Sequence, residues 1–316
     1  MKIVDFTHAH IPEATALALA SYEEERRHVP ALPPIETVPD LTPFANNGFG
    51  VAAFEGDKML GFLCSYPPFD KAFGSTDVRG IFSPMGANGA VKQNRAKIYA
   101  AMYQANGAKW VNAEAVAHAV CLYAHDEELQ RQFYLYGFGL RCMDAIRPME
   151  VIPCAFCEEY KFSELAPNEY PSIYPLDYQL NRHFCKSPFF MNRKPDTIES
   201  FAKLCQNESA RYFVAKQNKL LCAFVKISDL GEAFAASGGD YRHIQGAYCL
   251  PEHRGKGAYQ NLLNFTIATL KSEGYTRFGV DFESLNPTAY GFWTKYFTPY
   301  THSVVRRIDE NILKIE

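Results

Sequence analysis

The chain has 316 residues, 47% of them hydrophobic and 21% charged, with a net charge of −3. That length suits two domains better than one core, and the aromatic content (24 Phe, 19 Tyr) excludes disorder over most of the chain. A near-neutral balance offers no basic field for a nucleic-acid partner, and no apolar run approaches the ~20 residues of a membrane-spanning helix.

The N-terminal "MKIVDFTHAH" lacks an apolar signal core, and the nine cysteines are scattered, which fits a reducing, cytoplasmic setting. The one close pair, Cys154 and Cys157, has no second pair at zinc-ligand spacing, so no metal site is expected.

In chain order, "IPEATALALASYEEERR" has helical periodicity. The proline-rich "VPALPPIETVPDLTPF" forbids a continuous helix. "GFGVAAF", the turn "EGDK" and "MLGFLCSY" make a hairpin signal. A helix follows from about Asn94 to Ala105, then a strand "HAVCLYA" and a short helix in "DEELQRQFYLYGFG". After a connector the order returns: helix "TIESFAKLCQNE", hairpin "RYFVAK"–"QNK"–"LLCAFVKIS", strand "HIQGAYCL", helix "AYQNLLNFTIATLKSEG", strand "FGVDFES", short helix "NPTAYGFWTKYF", strand "THSVVRRID". This repetition predicts two similar mixed α/β domains. The expected bounds are 1–150 for the first domain, 151–167 for a connector and 168–316 for the second.

The junction "CLPEHRGKGAYQNLL" concentrates the chemistry. A strand that enters a helix through glycines leaves the first helical N–H groups unpaired and pointing together. The helix dipole adds positive potential there, and Arg254 and Lys256 add full charge. Gly255 and Gly257 let an anion such as a pyrophosphate approach the backbone. The pattern is neither a Walker loop nor a dinucleotide fingerprint.

Pro251, Arg254, Gly257 and the pair Leu262–Leu263 resemble the coenzyme A loop of the GNAT acetyltransferase superfamily, with Tyr259 where that family has Gly or Ala. "NPTAYGFW" adds the family's second motif through Asn286, Ala289, Phe292 and Trp293. The resemblance covers residues 168–316 well. The first half is a weaker match and is expected to be a degenerate GNAT-like domain, so the whole chain resembles tandem-GNAT proteins.

The resemblance implies acetyl-CoA as the coenzyme. Backbone groups of Ala247, Tyr248 and Cys249 would pair with the pantetheine arm. Amides of Gly255, Lys256, Gly257, Ala258, Tyr259 and Gln260 would hold the pyrophosphate. Asn286 would bond the arm, with Trp293 beside it. The reaction implied is acetyl transfer to the amine of a small molecule or peptide by direct attack.

Such a reaction needs a base, an oxyanion donor and relief of charge on the leaving thiolate. The Cys249 N–H is the expected oxyanion donor and Asp281 the expected base, with Glu283, His243 and Tyr248 as further candidates. Tyr290 is the expected acid, because Trp293 stands where the family has tyrosine. His118 and His125 are expected to be structural. A non-catalytic coenzyme-binding or regulatory module and an aminoacyl or other acyl transferase of the tandem-GNAT type are the alternatives. The sequence does not give the oligomeric state.

Overall fold

A computed structural model describes residues 1–74, 76–207 and 209–315. The chain forms two compact units, residues 1–144 with 299–316, and residues 145–298.

In the first unit the order is β1 (Lys2–Asp5), α1 (Ile11–His28), α2 (Thr42–Asn47), β2 (Gly50–Glu55), β3 (Lys58–Cys64), β4 (Gly80–Ser83), β5 (Asn88–Ala90), α3 (Arg95–Asn112), β6 (Ala117–Tyr123), α4 (Glu127–Leu135) and β7 (Gly139–Pro148). Helix α1 starts with Pro12 in its first turn and buries Ala14, Ala18, Ser21, Tyr22 and Glu25 along one stripe. Strands β1, β2, β3 and β5 pair antiparallel, while β4 runs parallel to β6. The chain thus leaves β6 between Ser83 and Asn88 and crosses to β3. Trp110, Met102, Tyr103 and Phe133 centre the core against these strands.

The second unit repeats this order through β8 (Lys161–Glu164), α5 (Tyr174–Phe184), α6 (Ile198–Asn207), β9 (Arg211–Gln217), β10 (Leu220–Ser228), β11 (Tyr241–Cys249), α7 (Ala258–Ser272), β12 (Arg277–Glu283) and α8 (Pro287–Tyr296). Strands β8 to β11 pair antiparallel in sequence order. Strand β12 pairs parallel with β11 only from Tyr241↔Arg277 to Ile244↔Val280. A bulge separates Ile244 from Gly246 in the pairing with β10, so the far end of β11 continues with β10 alone. The two parallel strands therefore part, and α7 begins at the mouth of the split. Helix α7 is anchored by buried Leu262, Leu263, Thr266, Ile267 and Leu270.

Two strands follow, β13 (Thr298–Pro299) and β14 (Thr301–Arg307), before a last helical turn at Glu310–Lys314. Strand β14 pairs with β6 over seven residues, from Thr301↔Tyr123 to Arg307↔Ala117, and also with β7. Its Val304 joins the first unit's core. Strand β14 thus belongs to the first unit, whereas the sequence pattern places it in the second domain and ends the first at residue 150. Alternating side chains specify which face of a strand is buried, not which sheet receives it. Helix α5 has no clear signal in the sequence, because its Tyr–Pro start and three aromatics mask a helical stripe.

Candidate active site

The split between β11 and β12 is the centre of the site. The N–H of Leu250 donates to the Cys222 carbonyl at 2.9 Å. Alternation along an antiparallel strand then turns the N–H groups of Cys249 and Ala247 the opposite way, into the split. The Cys249 carbonyl on that side accepts from Arg254 Nε at 2.9 Å, and the guanidinium lies 5.4 Å from the Tyr248 ring centroid. Arg254 is thus held at the mouth of the split rather than free in solvent.

Gly255 and Gly257 are both left-handed, at φ 72° and 81°, a conformation that favours glycine. No atom lies within 4 Å of where a Gly255 Cβ would stand, so the space before the loop is open. Gly257 is the N-cap of α7, and the helix's own bonding begins with Asn261 N–H to the Gly257 carbonyl. The N–H groups of Ala258, Tyr259 and Gln260 accordingly have no carbonyl within the helix. A pocket of about 290 Å³ opens here, bounded by Ala247, Tyr248 and Cys249 on the strand, Arg254, Gly255, Tyr259 and Gln260 on the loop and helix, and Asn286 and Trp293 on α8.

The remaining expected residues sit elsewhere. Lys256 and Gly257 border a neighbouring hollow of about 370 Å³ with Cys157 and Lys295. Ala258 is fully buried behind the loop. Tyr290, at 44% exposure against 5% for Trp293, faces outward, with its ring edge-on to Phe282. It does not border the pocket. Asp281 lies just past the last β11–β12 pair, also outside the pocket, and its Oδ1 is 2.7 Å from His243 Nε2. The Tyr241 hydroxyl meets His243 Nδ1 at 2.7 Å. His243 is therefore structural in the sense that it is buried and fully engaged, and its partner is the expected base.

Asn286 caps α8: its Oδ1 accepts from Ala289 N–H at 3.2 Å and from Thr288 Oγ1 at 2.7 Å. Its amide nitrogen remains for other partners. Two pocket residues lie outside every sequence motif, Leu180 and His183 of α5. Burial, and more weakly the positive charge of Arg254 and Lys186, depresses the His183 imidazole below its ordinary value despite a contact with Asn286. With Leu176 they fall at helical i, i+4, i+7 spacing, a signal available only once α5 is recognised as a helix. Burial also pushes the Cys249 thiol up to about 11, so it stays protonated near neutrality and is a poor nucleophile.

Cys154 and Cys157 belong to a strap across the start of α7. Asn261 Nδ2 donates to the Ala155 carbonyl at 3.0 Å, Asn264 Nδ2 to the Ile152 carbonyl at 2.8 Å, and Cys157 Sγ lies 3.6 Å from the Lys256 carbonyl. Among the described residues no three His, Cys, Asp or Glu side chains gather as metal ligands, and no helix is long and apolar enough to cross a membrane.

Residues 178–297 match the acetyltransferase (GNAT) family. The fold has solved counterparts. The GCN5-related N-acetyltransferase from Sphaerobacter thermophilus superposes with a TM-score of 0.59 at 11% identity, over 96% of this chain and 95% of that one. A GCN5-related glucosamine N-acetyltransferase region of a fungal multi-domain GH3 beta-N-acetylglucosaminidase gives 0.53 at 12% identity, over 96% of this chain and 38% of that one. At such identities these likenesses speak for the fold alone. No curated protein matches the chain. Residues 178–297 are thus similar to the GNAT acetyltransferase family, and this supports an N-acetyltransferase-type function.

Proposed function

We propose that the second unit binds acetyl-CoA in the β11–β12 split and transfers its acetyl group directly to an amine of a small molecule or peptide. The observation that carries this reading is the junction itself: two left-handed glycines, three unpaired helix N–H groups and Arg254 converge at the mouth of a pocket lined by strand N–H groups. These residues fit the coenzyme. The amides of Tyr259 and Gln260 and the Arg254 side chain would hold its pyrophosphate, and the N–H of Ala247 would pair with its arm. Bound there, the coenzyme supplies an activated acetyl thioester.

The chain's own residues supply the rest. The Cys249 N–H is a donor for the carbonyl oxygen as charge grows there. Asp281, fixed by His243, which is fixed in turn by Tyr241, takes a proton from the amine directly or through a water. Glu232 stands near Asp281 and Glu283, and its carboxyl is raised by burial first and then by these two charges. The acceptor side of Asp281 is therefore acidic, which suits an amine that arrives protonated. The experiment is release of free coenzyme A thiol from acetyl-CoA with spermidine, glucosamine and a lysine-containing peptide as acceptors. Turnover of at least one, lost on Asp281→Asn, supports the reading. Binding of acetyl-CoA without turnover of any amine would leave the non-catalytic coenzyme-binding module as the better account.

A further inference from the structure

The close cysteine pair, Cys154 and Cys157, takes no part in acetyl transfer, yet it sits against the coenzyme loop. Cys154 is exposed, Cys157 is half-buried, and both are free thiols. Both border the hollow of about 370 Å³ beside the loop, with Lys256, Gly257 and Lys295. The thiols of Cys222, packed near Cys157, and of Cys249 are raised, chiefly by burial. Exposure therefore makes Cys154 and Cys157 the thiols that a small oxidant meets first.

The strap that carries the pair is fastened to α7 and to the loop at successive points. Asn264 holds the N–H and the carbonyl of Ile152 at 2.6 and 2.8 Å, and its amide also donates to Cys154 Sγ at 3.2 Å. Asn261 bonds the Ala155 carbonyl, and Cys157 Sγ meets the Lys256 carbonyl. Cys157 Cβ lies 3.9 Å from where a Gly257 Cβ would stand. Tyr160 Oη reaches Nδ1 of His253, which borders the coenzyme pocket, at 3.0 Å. From Ile152 to Cys157 the strap thus runs antiparallel to α7, from Asn264 back to Gly257, about 10 Å of helix axis. The same residues fully extended would cover about 16 Å. That slack lets a local turn bring the two Cα atoms within the ~4.4–6.8 Å that a disulfide needs, with α7 in place.

Resting on the reading that this loop holds acetyl-CoA, we propose that Cys154 and Cys157 are an oxidation site, which a peroxide converts to a disulfide that loosens the coenzyme loop. The Cys154 sulfur attacks hydrogen peroxide: the S–O bond forms, the O–O bond breaks, and hydroxide leaves and takes a proton to become water. The Cys157 sulfur then attacks the Cys154 sulfur: the S–S bond forms, the S–O bond breaks, and a second water leaves. The two thiols give two electrons to the peroxide, and their two protons end in the two waters. Closing the ring turns the backbone between the cysteines. That draws the Ala155 carbonyl from Asn261 and Cys157 from the Lys256 carbonyl. Asn261 also bonds the carbonyl of Gly257, the N-cap of α7, at 2.9 Å. The amides of Tyr259 and Gln260 then lose the fixed placement that a pyrophosphate requires.

The test uses the full chain and needs no knowledge of the acceptor. Purified protein is treated with hydrogen peroxide, cleared with catalase, and mapped for disulfides by non-reducing peptide mass spectrometry. Acetyl-CoA binding is then measured by calorimetry, before treatment, after it, and after reduction with dithiothreitol and its removal. A Cys154–Cys157 disulfide is expected, with affinity about tenfold weaker in the oxidised protein and restored by reduction. Cys154→Ser should bind acetyl-CoA like the native protein and keep that affinity after peroxide. Absence of the Cys154–Cys157 disulfide overturns the proposal, as does a disulfide that leaves affinity unchanged. So does a loss of affinity that persists in Cys154→Ser, which would assign the effect to another thiol such as Cys222. A folded native protein that binds no acetyl-CoA would overturn acetyl transfer and the coupling with it, while the disulfide map, read without coenzyme, still decides whether the pair is an oxidation site.

Discussion

The two units build the same strand–loop–helix junction and finish it in opposite ways. At the end of β5, Val91 N–H bonds the Leu60 carbonyl, as Leu250 N–H bonds that of Cys222 at the end of β11. Counting from these bonds, Asn88 corresponds to Ala247. Asn94, the left-handed N-cap of α3 at φ 58°, corresponds to Gly257 of α7. Arg95 then matches Ala258. Asp126, which caps α4 through Leu129 N–H, matches Asn286, which caps α8.

In the first unit these side chains fill the split from within. Asn88 Nδ2 reaches Ser83 Oγ at 3.0 Å and the Cys121 carbonyl at 3.3 Å, bridging the parted strands. Arg95 donates to Asp126 at 2.8 Å, Glu24 at 2.6 Å and the Ala90 carbonyl at 3.2 Å. The second unit has Ala247, Gly257, Ala258 and a neutral Asn286 at those places, and its split stays open. One fold thus yields an internally satisfied polar core or a receptive pocket by exchange of four side chains. This supports reading the first unit as a GNAT-like domain without a coenzyme site.

The largest expected effect lies in the open unit. Asp281→Asn should lower kcat about 10²–10⁴-fold while leaving acetyl-CoA affinity nearly unchanged, because it removes the base and not a coenzyme contact. Steady-state kinetics beside calorimetric binding checks both parts.

The closed unit should respond in stability. Arg95→Ala leaves Glu24 and Asp126 facing one another without their cation, and side-chain exposures of 12 to 16% across this group make that costly. A loss of about 3 kcal/mol is expected, measured by urea unfolding. Restored coenzyme binding in the first unit is not expected, since the Asp126 carboxylate remains.

The pH dependence should have two limbs, both from this cluster. Burial alone would lower His125, but hydrogen bonding to Glu25 and the charges of Glu25, Glu24 and Asp126 outweigh it and hold the imidazole above its ordinary value. Its contribution is fully present below pH ~6.5 and is lost as pH rises through the folded value. Burial alone would raise Glu24, but Arg95 outweighs it and holds the carboxyl below its ordinary value. That contribution is present above pH ~4.5 and is lost as pH falls through the folded value. The Tm difference between native protein and His125→Gln should therefore shrink from pH ~6 to pH ~8. A difference that grows would mean that the folded protein holds His125 below its ordinary value.

Smaller effects sharpen the comparison at the loop. Asn261→Ala removes bonds to Ala155 and Gly257 and should cost about 1 kcal/mol of stability, with a modest loss of coenzyme affinity. Gly257→Asn imports the residue that already holds the left-handed N-cap at Asn94. A Cβ at Gly257 would meet nothing closer than 3.5 Å, so the change should weaken acetyl-CoA binding only a few-fold.

The coenzyme junction was legible in the sequence because glycines, cations and a helix start leave a local signature. So were the hairpins and α7, whose periodicity is strong. The His243–Asp281 pair was not: each residue looks like an ordinary strand polar group until the parallel pairing of His243 with Gly279 brings Asp281, two residues on, within reach. Tyr259 read only as an intrusion into a glycine position, since its contact with Trp293 spans thirty-four residues of chain. The sheet chosen by β14 was equally hidden, because partner choice is settled by tertiary fit.

The contrast between the two junctions predicts one coenzyme site, in the second unit, at the open junction. Calorimetric titration of the purified protein with acetyl-CoA, beside the Arg254→Glu, Gly257→Glu double variant, tests it most directly. A single site that disappears in the folded double variant is expected. Two sites, or a site that survives the double change, would place coenzyme binding in the first unit; no binding by the folded native protein would contradict acetyl transfer itself.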